Sequence, residues 1–343
     1  MQITFTAYDV LECGYFPRGR KEGKTLPGPF YSLTNLTGDL AGWLSGKPLV
    51  ETKLKYRELE KDIYCCEIIQ SHGNVFVSLW VGADLVHGNK LLSIDPQSVV
   101  NSPDISSKDV DGKIPGFPSF FMIPPSGKTI ISLRPEGYPS SASAIDIYFR
   151  NYLRYKSPRV VIGDGEDDDD EHIRIEGYQN DKGETVKWIP RFKKDHSKKK
   201  AYIDSLRSRR ASISKVLYKA EIPASPSKKS TFRKMAVGLL AGLGLDYGSN
   251  MVSNEIPVHY EIGFTPSVTE FSQIIEAYNS LTSDTDDIGF KFSSDSDSYW
   301  LSKANVKEEY TINVQFDANG NILLLSLINE VSRIAPTFMQ VIK

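Results

Sequence analysis

Short runs of period-two alternation, each closed by turn-forming residues, are what most restrict how this chain can fold. Gln2 to Asp9 puts Ile3, Phe5 and Ala7 on one side and Thr4, Thr6 and Tyr8 on the other, as a half-buried strand requires. Asp62 to Gln70 and Asn74 to Gly82 read as a hairpin around Ser71, His72 and Gly73. Its second arm, NVFVSLWVG, is almost wholly β-branched or aromatic where it would be buried. Pro115 to Ile123 and Thr129 to Leu133 make another pair, turned at Pro124 to Gly127. Further on, Ile173 to Tyr178 and Thr185 to Ile189 pair through Asn180 to Gly183. Ala211 to Ile222 and Ile256 to Phe264 read as strands, and Glu308 to Phe316 with Ile322 to Leu327 as a last hairpin.

Helical spacing is confined to fewer stretches. Leu33 to Trp43 suits a short helix. Ser140 to Leu153 is the clearest of the first half, with Ala144, Ile147, Tyr148 and Tyr152 recurring on one side, Ser140 or Ser141 as cap and Pro158 as stop. Val268 to Leu281 is amphipathic, with Phe271, Ile274, Ile275 and Tyr278 together. Thr231 to Leu245 reads as a buried apolar helix, and Leu327 to Phe338 as a closing one that ends where Pro336 intrudes. Antiparallel strands interspersed with helices imply an α+β fold, antiparallel sheets with packed helices. A chain of 343 residues has room for two domains at roughly 150 residues each. The division is expected at 157/158, with an N-terminal α+β domain over 1–157 and a C-terminal α+β domain over 158–343.

Several function classes lack their residues. Of five histidines, none forms HExxH and no two stand at metal-ligand spacing. There is no GxSxG elbow and no GxxxxGK[ST] loop, and the glycine-rich GLLAGLGLDYG lies in a helix pattern rather than after a strand. No cofactor, resident metal or catalytic residue is therefore expected. The three cysteines, Cys13, Cys65 and Cys66, form no CxxC pair and suit buried thiols in a reducing compartment. The start, MQITFTAYDVLE, reads as a strand rather than a secretory signal. The apolar stretch Met235 to Leu245 is too short to cross ~30 Å of hydrocarbon as a helix. A cytoplasmic protein is expected.

Charge is where the chain is unusual. Arg191 to Lys234 holds fifteen Lys or Arg against three acids, Asp195, Asp204 and Glu221. That is a local net of +12 in a chain of net −2, so the remainder carries −14. Such separation builds a local positive field whose natural partner is a polyanion, and cations that neutralise phosphates bind without reading sequence. The candidate double-stranded DNA contacts are Arg191, Lys193, Lys194, Lys198, Lys199, Lys200, Arg207, Arg209 and Arg210. A second group, Lys228, Lys229, Arg233 and Lys234, stands near an expected helix N-terminus, which itself favours phosphate. Their role would be phosphate neutralisation with little base readout. Tyr202 is a candidate for stacking on an unpaired base, against the simpler reading that it packs. The acidic run 163–171, GDGEDDDDE, reads as an exposed loop, with metal binding or masking of the basic segment as sharper alternatives.

Two other function classes remain open. A metal-dependent nuclease would need convergent carboxylates with a lysine nearby, and Glu171, Glu176 and Lys187 can be grouped that way. A protein-interaction module would pair acidic and basic segments across subunits.

Residues Gly116 to Phe120 read GFPSF and are followed by FMI, a turn, and SASAIDIYFRNYL. Further on come RRASISKVLYKAEIP, KMAVGLLAGLGL and, near the end of the stretch, DSDSYWLS. In this order, over about residues 60 to 305, the chain resembles the RexA family of prophage-encoded exclusion proteins. The resemblance implies an intracellular protein that binds duplex DNA without strong sequence preference and acts in phage exclusion, an abortive-infection defence. It also implies a homodimer, distantly similar to the RdgC DNA-binding proteins that enclose duplex, and a RexB-like membrane-protein partner. The chain departs from the family pattern in its length, with 163–171 and the lysine cluster at 193–200 reading as insertions. GFPSF itself reads as shaping the fold, with Phe117, Phe120 and Phe121 in the core and Gly116 and Pro118 setting a bend.

Overall fold

The computed structural model describes residues 1–18, 28–54, 62–83, 92–106, 111–139, 141–163, 174–222, 256–279, 286–295 and 297–342. Among these, antiparallel sheets with packed helices make a mixed fold of the α+β kind. The helix expected at Thr231 to Leu245 lies outside the described residues. The chain divides into two compact units, Met1–Ser197 with Val306–Lys343, and Lys198–Asn305.

The first unit is organised by one long strand, β1 (Gln2–Phe16). Along one edge it pairs with β7 (Thr129–Pro135), which continues through β6 (Ile114–Ile123) and β3 (Asn74–Gly82) to β2 (Ile63–Ser71). Its other edge is shared end to end by two strands. One is β11 (Ile189–His196), paired over Tyr8–Phe16, and the other is β16 (Lys307–Thr311), paired over Gln2–Thr6. They meet at Ala7, whose N–H donates to Val306 O at 3.0 Å and whose carbonyl accepts from Ser197 N at 2.9 Å. The chain thus leaves the first unit and re-enters it at the same rung, and the second unit is an insertion between β11 and β16. The expected division at 157/158 does not coincide with these limits. Pairing of β11 with β1 carries the first unit on to Ser197, and the chain's last helix belongs there too.

Alternation sends the two faces of this sheet into different cores. Ile3, Phe5, Ala7, Phe120 and Leu133 pack with Leu327, Ile328, Val331 and Phe338 of α5 (Leu324–Ile342). Val77, Leu79, Phe121 and Ile130 face α1 (Leu33–Leu44) and α2 (Ser143–Tyr155), which supply Leu36, Leu40, Tyr148 and Phe149. α1 starts on a capping box, with Ser32 Oγ accepting from Asn35 N and Asn35 Oδ1 accepting from Ser32 N. A smaller cluster collects Leu49, Tyr64, Cys66 and Trp80, against β4 (Leu92–Ile94). The neighbouring β5 (Ile105–Ser106) extends β4, and β8 (Val160–Ile162), β9 (Ile175–Gln179) and β10 (Thr185–Val186) form a separate three-stranded sheet.

Two expectations about the C-terminal stretch change. The hairpin expected from Glu308 to Leu327 is reduced to a single bridge between Phe316 and Ile322. The closing helix begins earlier, at Leu324, and runs through Pro336 to Ile342. Proline there removes one helical hydrogen bond, but Ile334, Ala335 and Phe338 are all buried on the sheet, and that burial holds the helix on either side of it.

The second unit has a four-stranded sheet in the order β13 (Ile256–Gly263), β12 (Ile213–Ile222), β14 (Asp287–Phe292), β15 (Ser298–Trp300). One face is closed by α3 (Lys200–Ser208) and α4 (Val268–Asn279). Leu206 of α3 and Phe271 and Tyr278 of α4 meet Ile213, Phe290 and Phe292.

Candidate nucleic-acid interface

The structure separates the basic candidates into groups with different chemistry. Arg191, Lys193 and Lys194 lie on β11 in the first unit. Arg191 Nη1 donates to Glu12 Oε1 at 3.0 Å and its guanidinium lies over the Phe16 ring at 5.4 Å. Lys193 is exposed. Lys194 points inward: its ammonium is 2.9 Å from Asp146 Oδ2 and 4.1 Å from the Tyr8 ring centroid. Burial pushes the Asp146 carboxyl upward in pKa, and the Lys194 charge pulls it back. Lys194 therefore holds α2 on the sheet and has no face for a phosphate.

In the second unit, Lys198, Lys200 and Arg207 open onto a single depression of about 300 Å³ between α3 and α4. Ile203, Ile275 and Leu301 form its apolar floor, and Asp204 is the one acid among the residues lining it. Lys198 Nζ donates to Asn305 Oδ1 at 2.7 Å and stands 4.4 Å over the Tyr278 ring, so the start of α3 is held in place by residues far along the chain. Tyr278 hydroxyl in turn accepts from Asn305 Nδ2 at 3.3 Å. Lys199 is the residue before α3, and its backbone N–H donates to Ala304 O. Lys200 and Arg207 are exposed, Arg207 sharing a 2.9 Å ion pair with Asp204 one turn earlier. An exposed pair of this kind contributes little to stability.

Arg209 and Arg210 are committed to the fold of the second unit. Arg209 lies 3.9 Å over Phe292 and 4.9 Å over Tyr299, and it pairs with Asp295 at 3.4 Å. Arg210 Nη1 donates to Pro266 O at 2.7 Å, tying the end of α3 to the start of α4. Tyr202 hydroxyl donates to Trp300 O at 3.0 Å and its ring joins the helix–sheet core. Burial pushes that hydroxyl up to about 12. It packs rather than offering a face to a base.

Lys228, Lys229, Arg233 and Lys234 lie outside the described residues, as do Glu171 and the acidic run beyond Gly163. Of the carboxylate group considered for a nuclease, Glu176 is exposed on β9 and Lys187 is exposed between β10 and β11. Among the described residues, no group of three or more His, Cys, Asp or Glu is placed to hold a metal ion. No helix among them is long and apolar enough to cross a membrane.

Tyr278 and Asn305, which shape the α3 site, were not legible as functional residues. Tyr278 appears in the sequence only as one member of an apolar helix face, and nothing local links Asn305 to a lysine more than a hundred residues earlier. Neither a family model nor a curated protein matches the chain.

Proposed function

We propose that the chain is a non-enzymatic protein that binds double-stranded DNA by neutralising phosphates, with little sequence preference, and that the contact is centred on α3. What supports this is the convergence of Lys198, Lys200 and Arg207 on one depression with a single acid among them. Cations fixed by the protein displace condensed counterions from the duplex, so affinity rises without base readout. Lys198 is pre-positioned by Asn305 and Tyr278, and a side chain already held loses little rotamer freedom on binding.

A cytoplasmic homodimer acting in phage exclusion, with a RexB-like membrane partner, is the setting this reading favours. Its support is the resemblance carried by GFPSF and the segments that follow it.

The test is duplex binding by the full chain at several salt concentrations. Each phosphate contact contributes about 0.9 to the log–log slope. Changing both Lys200 and Arg207 to Ala is expected to lower the slope by about two, and changing Lys193 alone by at most about one. An unaltered slope in the double variant would remove α3 from the contact surface.

A further inference from the structure

We infer that the second unit carries a platform for unpaired nucleic-acid bases on the sheet face turned away from α3 and α4, built around Trp300 and His259. It goes beyond the duplex-binding reading and uses none of the α3 residues.

Strand alternation separates the two faces. Val216, Phe290 and Tyr299 face the helices. Their ladder neighbours Lys215, Leu217, Gly289 and Trp300 therefore face the other way, with Leu217 opposite Gly289 and Gly289 opposite Trp300. Gly289 is what lets the indole lie down. A Cβ there would come within 2.8 Å of Trp300 Cε3, closer than van der Waals contact permits. The indole consequently lies across β14 rather than standing off the sheet. Its centroid is 5.5 Å from that of the exposed His259 ring, at 44°. Leu217, on β12, is fully buried.

Cations border these rings. Lys215 and Lys291 are directly opposite each other on β12 and β14, and Lys219 is opposite His259. Two like charges facing across a ladder repel, and Glu261 relieves this by accepting from both, at 2.8 and 2.6 Å. Those two bonds hold its carboxyl down at about 2. Asp287, opposite Lys219 on β14, accepts from the Ser302 backbone N–H at 3.0 Å and from its hydroxyl, and the Lys219 charge also acts on its carboxylate.

A flat indole beside a second ring, bordered by lysines, fits a strand whose bases are free to stack and whose backbone is anionic. In a duplex the bases already stack on one another and offer the ring nothing. An acidic peptide would meet the lysines but leave Trp300 unused.

The experiment measures binding of the full chain to fluorescently labelled oligo(dT), with an abasic oligomer of the same length and oligoglutamate as competitors. Circular dichroism and thermal melting report whether each variant is folded. Folded Trp300→Leu is expected to weaken oligo(dT) binding about tenfold, from the usual worth of one base–aromatic stack. Trp300→Phe, which keeps a ring, is expected to retain most of it. Lys219→Gln should lower the salt slope by about 0.7, the value for one phosphate of a single strand. Changing Lys200 and Arg207 to Ala should leave oligo(dT) binding intact.

Three results would overturn the platform. One is oligo(dT) binding that is absent or unaffected in both Trp300 variants; another is an abasic strand bound as tightly as oligo(dT); the third is oligoglutamate competing equally. Loss of oligo(dT) binding in Trp300→Leu, with duplex binding indifferent to the α3 change, would sustain the platform and overturn the α3 reading alone.

Discussion

Lys194 Nζ sits 2.9 Å from Asp146 Oδ2 with only 5% of its side chain exposed. A lysine near the start of the most basic stretch of the sequence is thus an interior residue, joining β11 to α2. Removing one partner of such a pair leaves the other charge buried without compensation, which costs far more than the intact pair contributes.

Lys194→Ala is therefore expected to destabilise the first unit by about 3 kcal/mol, read as a lower urea midpoint. The slope of duplex affinity against salt should stay where it was. A variant that is as stable as the parent but binds DNA with a reduced slope would show that the ammonium leaves its pocket to meet phosphate.

Stability should also depend on pH through Glu67. It stands on β2 opposite Ser78, and burial pushes its carboxyl up to about 7, against a hydrogen bond from Ser78 that pulls it down. Between about pH 4.5 and 7 the folded protein keeps a proton that the unfolded chain releases, so stability falls as pH rises across that window. From pH 5 to 8 the loss attributable to this group is expected to be about 2 kcal/mol. Urea titrations of Glu67→Gln should lack this decline and show the variant more stable than the parent at pH 8. Parallel curves for the two proteins would assign the pH dependence elsewhere.

Gly116, the first residue of GFPSF, has a backbone neighbour where a side chain would be. A Cβ there would lie 2.3 Å from Val81 O and 2.6 Å from Trp80 Nε1. Gly116→Ala must push β6 away from β3 at that rung, at a cost of about 1–3 kcal/mol. Thermal unfolding measures it, and a neutral substitution would mean that the strands separate there at little cost.

Arg209 distinguishes shape from charge. Its guanidinium is stacked against Phe292 and Tyr299, a contact that a lysine ammonium on a flexible stem reproduces poorly. Arg209→Lys is expected to lower the stability of the second unit by about 1 kcal/mol and to leave the salt dependence of DNA binding unchanged. If the slope falls in this variant while the melting temperature holds, Arg209 belongs to the interface and not to the core.

The hairpin expected at Asp62–Gln70 and Asn74–Gly82 is found as β2 and β3, over Ile63–Ser71 and Asn74–Gly82. The helices at Leu33, Ser143 and Val268 fall close to where their apolar spacing put them. Other elements were hidden. β1 continues past Asp9 to Phe16 because Phe30 and Ile189 to His196 pair with it, and no local pattern announces those partners. Gly14, at φ +114, accepts the close approach of Tyr31 O, a position that only a residue without Cβ can occupy. α5 runs through a proline that would stop an isolated helix, since its apolar face is buried on the sheet on both sides of that position.

Local pattern was enough for the antiparallel α+β character and for the density of positive charge between Arg191 and Lys234, because turn chemistry, side-chain period and charge count are properties of neighbouring residues. The use of each cation was assigned by the assembled fold. Lys194 meets Asp146, Lys198 meets Tyr278 and Asn305, Arg209 meets Phe292, and Lys200 and Arg207 stay at the surface. A charge's environment depends on groups brought beside it from elsewhere in the chain, and desolvation and pairing act over a few ångströms of space, whatever the separation in sequence.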